Sequence, residues 1–309
     1  MGASMTWEQA ARTALACMDL TSLGEADTAL VIGELVARSR SRAGSPAALC
    51  VWPRFVRQVA AGVQALHGDG EGDGAGSAPR VAAVANFPGG DQPLAQVLSQ
   101  VRGIVADGAH EVDLVLDWRA LRDGDAAARE RAAAGVRAVR QACRGAQLKL
   151  IIESGELKEP ALIEEASRIG LNEGVDFLKT STGKTPLGAT PEAARVMLQA
   201  IAAHPRGAVV GFKASGGVRT VADVLHLAGS DVPAAASALP DPVALAGQAL
   251  EALQALVHRG LARQQDLGEA GGGRRRVGNH LPDAEVAGQL VSSVAGDEFR
   301  RLPFSERRT

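Results

Sequence analysis

The sequence predicts an α/β chain built as a (β/α)8 barrel of the TIM type, with its eighth βα unit atypical or missing and a disordered C-terminal tail. Three observations carry this. Short apolar runs alternate with longer amphipathic ones, the rhythm of repeated βα units. Several short runs, such as Ile151-Ile152 and Val209-Val210, are apolar on both faces, as in a parallel sheet covered by helices. The 309 residues suit one barrel with extensions.

Taken in order, a short helix near 6–14 precedes a strand at 15–19, where Leu15-Ala-Cys-Met-Asp19 is an apolar run. Further strands are predicted at 48–52, 80–86, 111–117, 148–153, 175–180 and 208–214. Helical periodicity follows each of the seven, at 25–38, 54–66, 92–107, 126–142, 159–172, 190–203 and 219–228. A closed barrel needs an eighth unit, and no convincing strand follows Leu227. Residues 243–259 form an amphipathic helix with Ala246, Leu250, Leu253 and Val257 on one face. From about 262 the composition turns to Gly, Arg, Glu and Asp, too poor in apolar residues for a core. Residues 1–260 are therefore assigned to the barrel domain and 261–309 to the tail.

Composition excludes several classes. Net charge is −2, so nothing draws the whole chain to nucleic acid or an anionic membrane. No apolar run approaches the roughly 20 residues of a membrane span, and the first residues lack a signal-peptide pattern. Cys17, Cys50 and Cys143 are widely spaced with no CxxC pair, which points to a reducing cytoplasm rather than a disulfide framework or a zinc cluster. The histidines show no metal-binding spacing, so no metal or cofactor is expected. Aromatic content is 3% without any tyrosine, leaving small and branched aliphatics to pack the core.

The lysines are the most telling residues. Arginine outnumbers lysine 28 to 5 (33 basic residues less Lys149, Lys158, Lys179, Lys184 and Lys213). Three of the five fall within 35 residues, in Asp176-Phe-Leu-Lys-Thr-Ser-Thr-Gly-Lys184 and Gly211-Phe-Lys-Ala-Ser-Gly-Gly217. Guanidinium stays protonated, whereas a lysine can lose its proton and attack a carbonyl. Most lysines merely face solvent, yet the middle of a barrel strand has no solvent face and an unpaired buried ammonium is costly. Polar side chains at the C-terminal strand ends line the mouth where barrel enzymes place their sites. A neighbouring cation and partial desolvation are expected to move one lysine of such a pair from about 10.4 to about 7, while the other stays charged. That raises the reactive fraction about a thousandfold, near 4 kcal/mol.

Asp113 sits in the apolar stretch Glu111-Val-Asp-Leu-Val-Leu-Asp117 and needs a partner, Arg119 or a lysine. A structural ion pair and a proton relay are both open, and they are compatible. Gly216-Gly-Val-Arg219 follows the seventh strand and opens a helix, a setting for a tight turn or for an anion such as phosphate. Other signals fail. Gly183-Lys-Thr185 resembles the end of a P-loop, but Leu178 stands where that loop needs glycine. Asp69-Gly-Glu-Gly-Asp-Gly74 resembles an EF-hand start, yet Arg80 replaces its final glutamate. Arg274 to Arg276 read as a solvated tail, and Cys50 as a small core residue.

These residues resemble the deoxyribose-phosphate aldolases, a metal-independent, Schiff-base class. The resemblance runs through Met18-Asp-Leu-Thr-Ser-Leu23, Cys50-Val-Trp-Pro-Arg-Phe55, Val84-Ala-Asn-Phe-Pro88 and Glu111-Val-Asp113. It continues in Leu148-Lys-Leu-Ile-Ile-Glu-Ser-Gly-Glu-Leu-Lys158 and the two lysine segments, in the family's order, over about residues 8–228. It implies reversible cleavage of 2-deoxy-D-ribose 5-phosphate to D-glyceraldehyde 3-phosphate and acetaldehyde, in deoxyribonucleoside catabolism. By the same pattern Lys179 is the Schiff-base lysine, Lys213 the lysine that lowers its pKa, and Asp113 the proton-relay carboxylate. Asp19, Thr21 and Thr182 match polar positions around the substrate, and Lys184, Gly216 and Gly217 the phosphate site. The partners are a sugar phosphate and an aldehyde, and the chain's residues leave a homodimer open.

One departure is large. The family's eighth strand, of the type Phe-Arg-Phe-Gly-Ala-Ser-Ser, has no counterpart between 228 and 309, nor is there a terminal tyrosine. A C-terminal region read out of frame and a genuinely diverged one both account for this. The competing function is a degenerate, catalytically weak sugar-phosphate-binding member that has lost its phosphate motif.

Overall fold

Seven parallel strands make one sheet in the computed structural model, which describes residues 14–41, 44–68 and 78–218. They are β1 (Asp19–Ser22), β2 (Ala48–Val51), β3 (Arg80–Ala85), β4 (Glu111–Val115), β5 (Gln147–Ile151), β6 (Phe177–Lys179) and β7 (Gly211–Lys213). Each pairs in parallel with its sequence neighbour, so the spatial order is the chain order. Helices α1 (Ala29–Arg38), α2 (Val56–His67) and α3 (Leu94–Ala106) cover the first strands. After β4 come α4 (Trp118–Arg122) and α5 (Ala126–Ala142), then α6 (Ser154–Leu157) and α7 (Pro160–Asn172) after β5, and α8 (Pro191–Ala203) after β6.

Local chemistry sets these boundaries. The Thr28, Asp125 and Thr190 side chains accept hydrogen bonds from the first-turn N–H groups of α1, α5 and α8. Pro160 and Pro191 open α7 and α8, where a missing N–H costs nothing. Strands β2 to β5 are almost wholly buried because both faces of the sheet are covered. Leu148, Leu150 and Ile151 of β5 have no exposed surface. Helix α7 lies close on them: a Cβ at Gly170 would come within 2.8 Å of Leu150 and 2.9 Å of Leu178. Truncating Leu150 to alanine is expected to destabilise the protein by about 2–5 kcal/mol; a urea midpoint unmoved from wild type would show that this layer does not hold the sheet.

The sheet curls about a shared interior, as in barrels of the TIM type. Lys213 on β7 bonds Asp19 on β1 at 2.7 Å, so the first and last strands face each other across it. Most elements fall where the sequence places them, with differences that have physical causes. The predicted strand at 15–19 is displaced: residues 14–17 are helical and β1 starts at Asp19, because a short apolar run reads equally as strand or helix. The predicted strand at 208–214 shrinks to Gly211–Lys213 behind a 3-10 turn at Gly207–Val209, which leaves Val209 72% exposed. The short helices α4 and α6 were not anticipated, being one turn or little more. The helices at 6–14, 219–228 and 243–259, the insert at 69–77, the eighth unit and the tail lie outside the described residues, save for Ala14, which is helical.

Candidate active site

Strand alternation and register bring the charged side chains together. Lys179 and Lys213 are Cα partners on β6 and β7, so their side chains leave the sheet on one face. Asp113 and Lys149 are partners on β4 and β5, on that same interior face. Gly211 lies beside Phe177 in the layer below, where a Cβ would collide with the phenyl ring.

The cluster is a ladder of alternating charge. Arg80 reaches Glu111 at 3.1 Å, and Glu111 reaches the Lys149 ammonium at 2.5 Å. Lys149 also contacts Asp19 at 2.8 Å and Asp113 Oδ1 at 3.1 Å. Above it, Asp113 Oδ2 accepts from Lys179 Nζ at 2.6 Å, while Lys213 Nζ bonds Asp19 and donates to the Cys17 carbonyl at 2.9 Å. Lys149, Lys179, Asp19 and Asp113 are all buried. The 3.1 Å approach of Asp113 Oδ1 to Lys149 lacks hydrogen-bond geometry, so that oxygen keeps a buried lone pair unspent.

These contacts fix the charge states. Burial, the largest influence, favours neutral Lys179, but the Asp113 carboxylate, helped by Cys50 and Asp19, holds the amine above its ordinary value. Burial likewise opposes charged Lys149, which Asp113, Asp19 and Glu111 together raise well above that of a free lysine. Asp113 and Asp19 are lowered despite burial by the surrounding ammonium groups. Cys50, with its sulfur 4.0 Å from Asp113, is pushed up to about 12 by burial and that carboxylate, so it stays a thiol. The expectation that Lys213 lowers Lys179 toward 7 is therefore corrected for the resting protein. The Lys213 ammonium is spent on Asp19, and the carboxylate nearest Lys179 governs its proton.

Asp113 takes Lys179 and Lys149 as partners rather than Arg119, which donates to the Gly89 carbonyl at 2.6 Å and stacks on Trp118. Thr21 lies on β1 two residues beyond Asp19, with its hydroxyl donated to the Asp19 carbonyl at 3.0 Å. Thr182, Gly183 and Lys184 form the turn after β6. Lys184 is exposed, and its Nζ donates to the Leu23 carbonyl at 3.0 Å, which ties this turn to the end of β1. Gly216 abuts the turn: a Cβ on it would lie 3.4 Å from Gly183 and 2.9 Å from Gly188, and its φ of +80° independently favours glycine. Gly217, at φ +84°, faces open space. The site residues named from the sequence thus lie in the interior cluster or on the loops at its mouth. Lys149 and Glu111 were missed as members of the cluster; for Lys149 the available signal was a lone lysine inside the apolar run Leu148–Ile152. Among the described residues no group of three or more His, Cys, Asp or Glu side chains is disposed to hold a metal ion.

A curled parallel sheet whose strand ends press a buried amine against a carboxylate defines the class, an aldolase among the carbon–carbon lyases. The chain belongs to the DeoC/LacD aldolase family, whose profile matches residues 13–250. It is 44% identical over 216 residues to the deoxyribose-phosphate aldolase of Agrobacterium fabrum, covering 70% of this chain and 78% of that one. Its fold is similar to the crystal structure of a Coccidioides immitis protein assigned as a deoxyribose-phosphate aldolase (26% identity, TM-score 0.61, 70% and 78% of the two chains). It is also similar in fold to the tetrameric deoxyribose phosphate aldolase of Aeropyrum pernix (22% identity, TM-score 0.54, 72% and 89% of the two chains).

Proposed function

We propose that this protein reversibly cleaves 2-deoxy-D-ribose 5-phosphate to D-glyceraldehyde 3-phosphate and acetaldehyde through a Schiff base on Lys179. The carrying observation is the buried Lys179 amine with Asp113 Oδ2 at 2.6 Å, a nucleophile with its proton acceptor in place. The Lys179 ammonium passes a proton to Asp113, and the neutral amine attacks the C1 aldehyde of the open-chain sugar. Loss of water gives an iminium ion. The C3 hydroxyl then loses its proton, the C2–C3 bond breaks, and its electron pair moves into the iminium to leave an enamine and glyceraldehyde 3-phosphate. Protonation of the enamine carbon, with Asp113 and Lys149 as the relay, and hydrolysis release acetaldehyde. Asp19, Thr21 and Thr182 border the sugar, Lys213 orients Asp19, and Lys184, Gly216 and Gly217 take the phosphate.

Borohydride added during turnover should fix an ethyl adduct on the peptide carrying Lys179. An adduct on Lys149 or Lys213 instead, or none in folded protein that is given substrate, sinks the assignment. The pH dependence separates two accounts of the amine. With Lys179 raised and Asp113 lowered, the pair holds a single shared proton across neutral pH, and transfer inside the pair is independent of pH. Deuterium exchange into the methyl group of acetaldehyde, which needs only imine and enamine formation, is therefore expected to vary less than about threefold between pH 6 and 9. A fall of about tenfold per unit below pH 7 would instead mark an amine depressed by Lys213.

We further read residues 1–260 as the catalytic barrel, a boundary the match ending at residue 250 supports, with an eighth unit that is atypical or missing. The assembly we propose is a homodimer, the commonest closed symmetry. Three free thiols fit the cytoplasm, and no helix among the described residues is long and apolar enough to cross a membrane.

A further inference from the structure

Glu153, at the exit of β5, is fully buried and held in the left-handed backbone region at φ 53° and ψ 58°. Among the described residues no cation forms an ion pair with it. Its partners all come from one turn. The Thr182 N–H donates to its two carboxylate oxygens at 3.3 and 3.2 Å, the Thr182 hydroxyl at 2.6 Å and the Thr185 hydroxyl at 3.1 Å. Burial pushes the carboxyl up, and these hydrogen bonds pull it back toward the charged form. The chain continues outward: Thr182 Oγ1 accepts from the Lys184 N–H at 3.0 Å, and Lys184 Nζ reaches the Leu23 carbonyl. On the other side the Ala189 N–H donates to the Ser215 and Gly216 carbonyls at 3.0 Å.

A buried carboxylate without a cation is costly, and left-handed backbone is strained for glutamate. Both are retained where the surroundings need the anion. Here the carboxylate collects three donors from residues 182–185 and ties that turn to the exit of β5. We infer that Glu153 is a positioning residue that holds the 182–185 turn in the shape that grips the substrate's phosphate, and thereby sets preference for phosphorylated over free sugar. This rests on reading Lys184, Gly216 and Gly217 as the phosphate cradle. An anion held by a lysine and backbone N–H groups is bound tightly only when those donors are already aimed.

The test is Glu153→Gln, which keeps size but turns an amide NH2 toward donors. KM for 2-deoxyribose 5-phosphate and the calorimetric Kd for sn-glycerol 3-phosphate are each expected to rise about tenfold or more. The kcat at saturation and the kcat/KM for free 2-deoxyribose should move less than about twofold. Thr185→Val, which removes another donor to the same carboxylate, should reproduce part of the loss, Thr185→Ser should restore it, and the double variant E153Q/T185V should be no worse than E153Q alone, as for two ends of one contact. Equal losses on both sugars, or unchanged affinity for glycerol 3-phosphate, overturn the role. If wild-type protein cleaves neither sugar while Glu153→Gln still weakens glycerol 3-phosphate binding, the aldolase reading falls and the positioning role stands.

Discussion

Lys179→Arg is expected to lower kcat by roughly 10³-fold or more and to abolish borohydride trapping, with the fold intact. Arginine keeps the positive charge beside Asp113 and can bond both its oxygens, so the buried carboxylate stays compensated. What it cannot do is become a neutral nucleophile. The variant therefore separates charge from amine chemistry, which truncation to alanine would confuse with an unpaired Asp113. Lys149 cannot take over, because three carboxylates hold its ammonium and raise its pKa well above that of a free lysine. Residual activity above about 1% of wild type, with the circular dichroism spectrum unchanged, would place the Schiff base elsewhere.

How far the site was legible follows from the range of each contact. Alternation within a strand is local, so Lys179 sharing a face with Phe177, and Lys213 with Gly211, could be read directly, and register then set the lysines side by side. Asp113 announced itself as a carboxylate in an apolar strand, but its partner did not. Arg119 is six residues away and Lys179 is 66 away in sequence, and the curl of the sheet favours the distant one. The same holds for Lys149, which meets Asp19 across 130 residues. Its flanking leucines made β5 legible as a strand while hiding the hub of the charge ladder. Glu153 was hidden for a different reason: a left-handed residue at a strand exit leaves no pattern in composition or period. The proton affinity of Lys179 was misjudged because the nearest cation was visible in the sequence, whereas the nearest anion had to be brought in by the fold.

The ladder also predicts which substitution is most damaging to stability. Lys149 lies beneath the Asp113–Lys179 and Asp19–Lys213 pairs and touches Asp19, Glu111 and Asp113 at once. Lys149→Met fills similar volume but removes the one cation that these carboxylates share, and deleting one partner of a buried ionic group costs about 3–5 kcal/mol. Melting should fall by roughly 10 °C. The sign with pH follows from the carboxylates. In wild type the folded pKa values of Asp19 and Asp113 are lowered, so their stabilisation is present above the ordinary range near 4 and disappears only as pH falls through the lowered values. Without Lys149 those values move up, and the variant gains stability relative to wild type as protons return. The stability gap measured by urea unfolding should be wider at pH 8 than at pH 5. A gap under about 1 kcal/mol at pH 7, or one that widens on acidification, would mean that Lys213, Lys179 and Arg80 suffice to compensate the three acids. Lys149 would then be a bystander to the Asp113–Lys179 pair rather than its foundation.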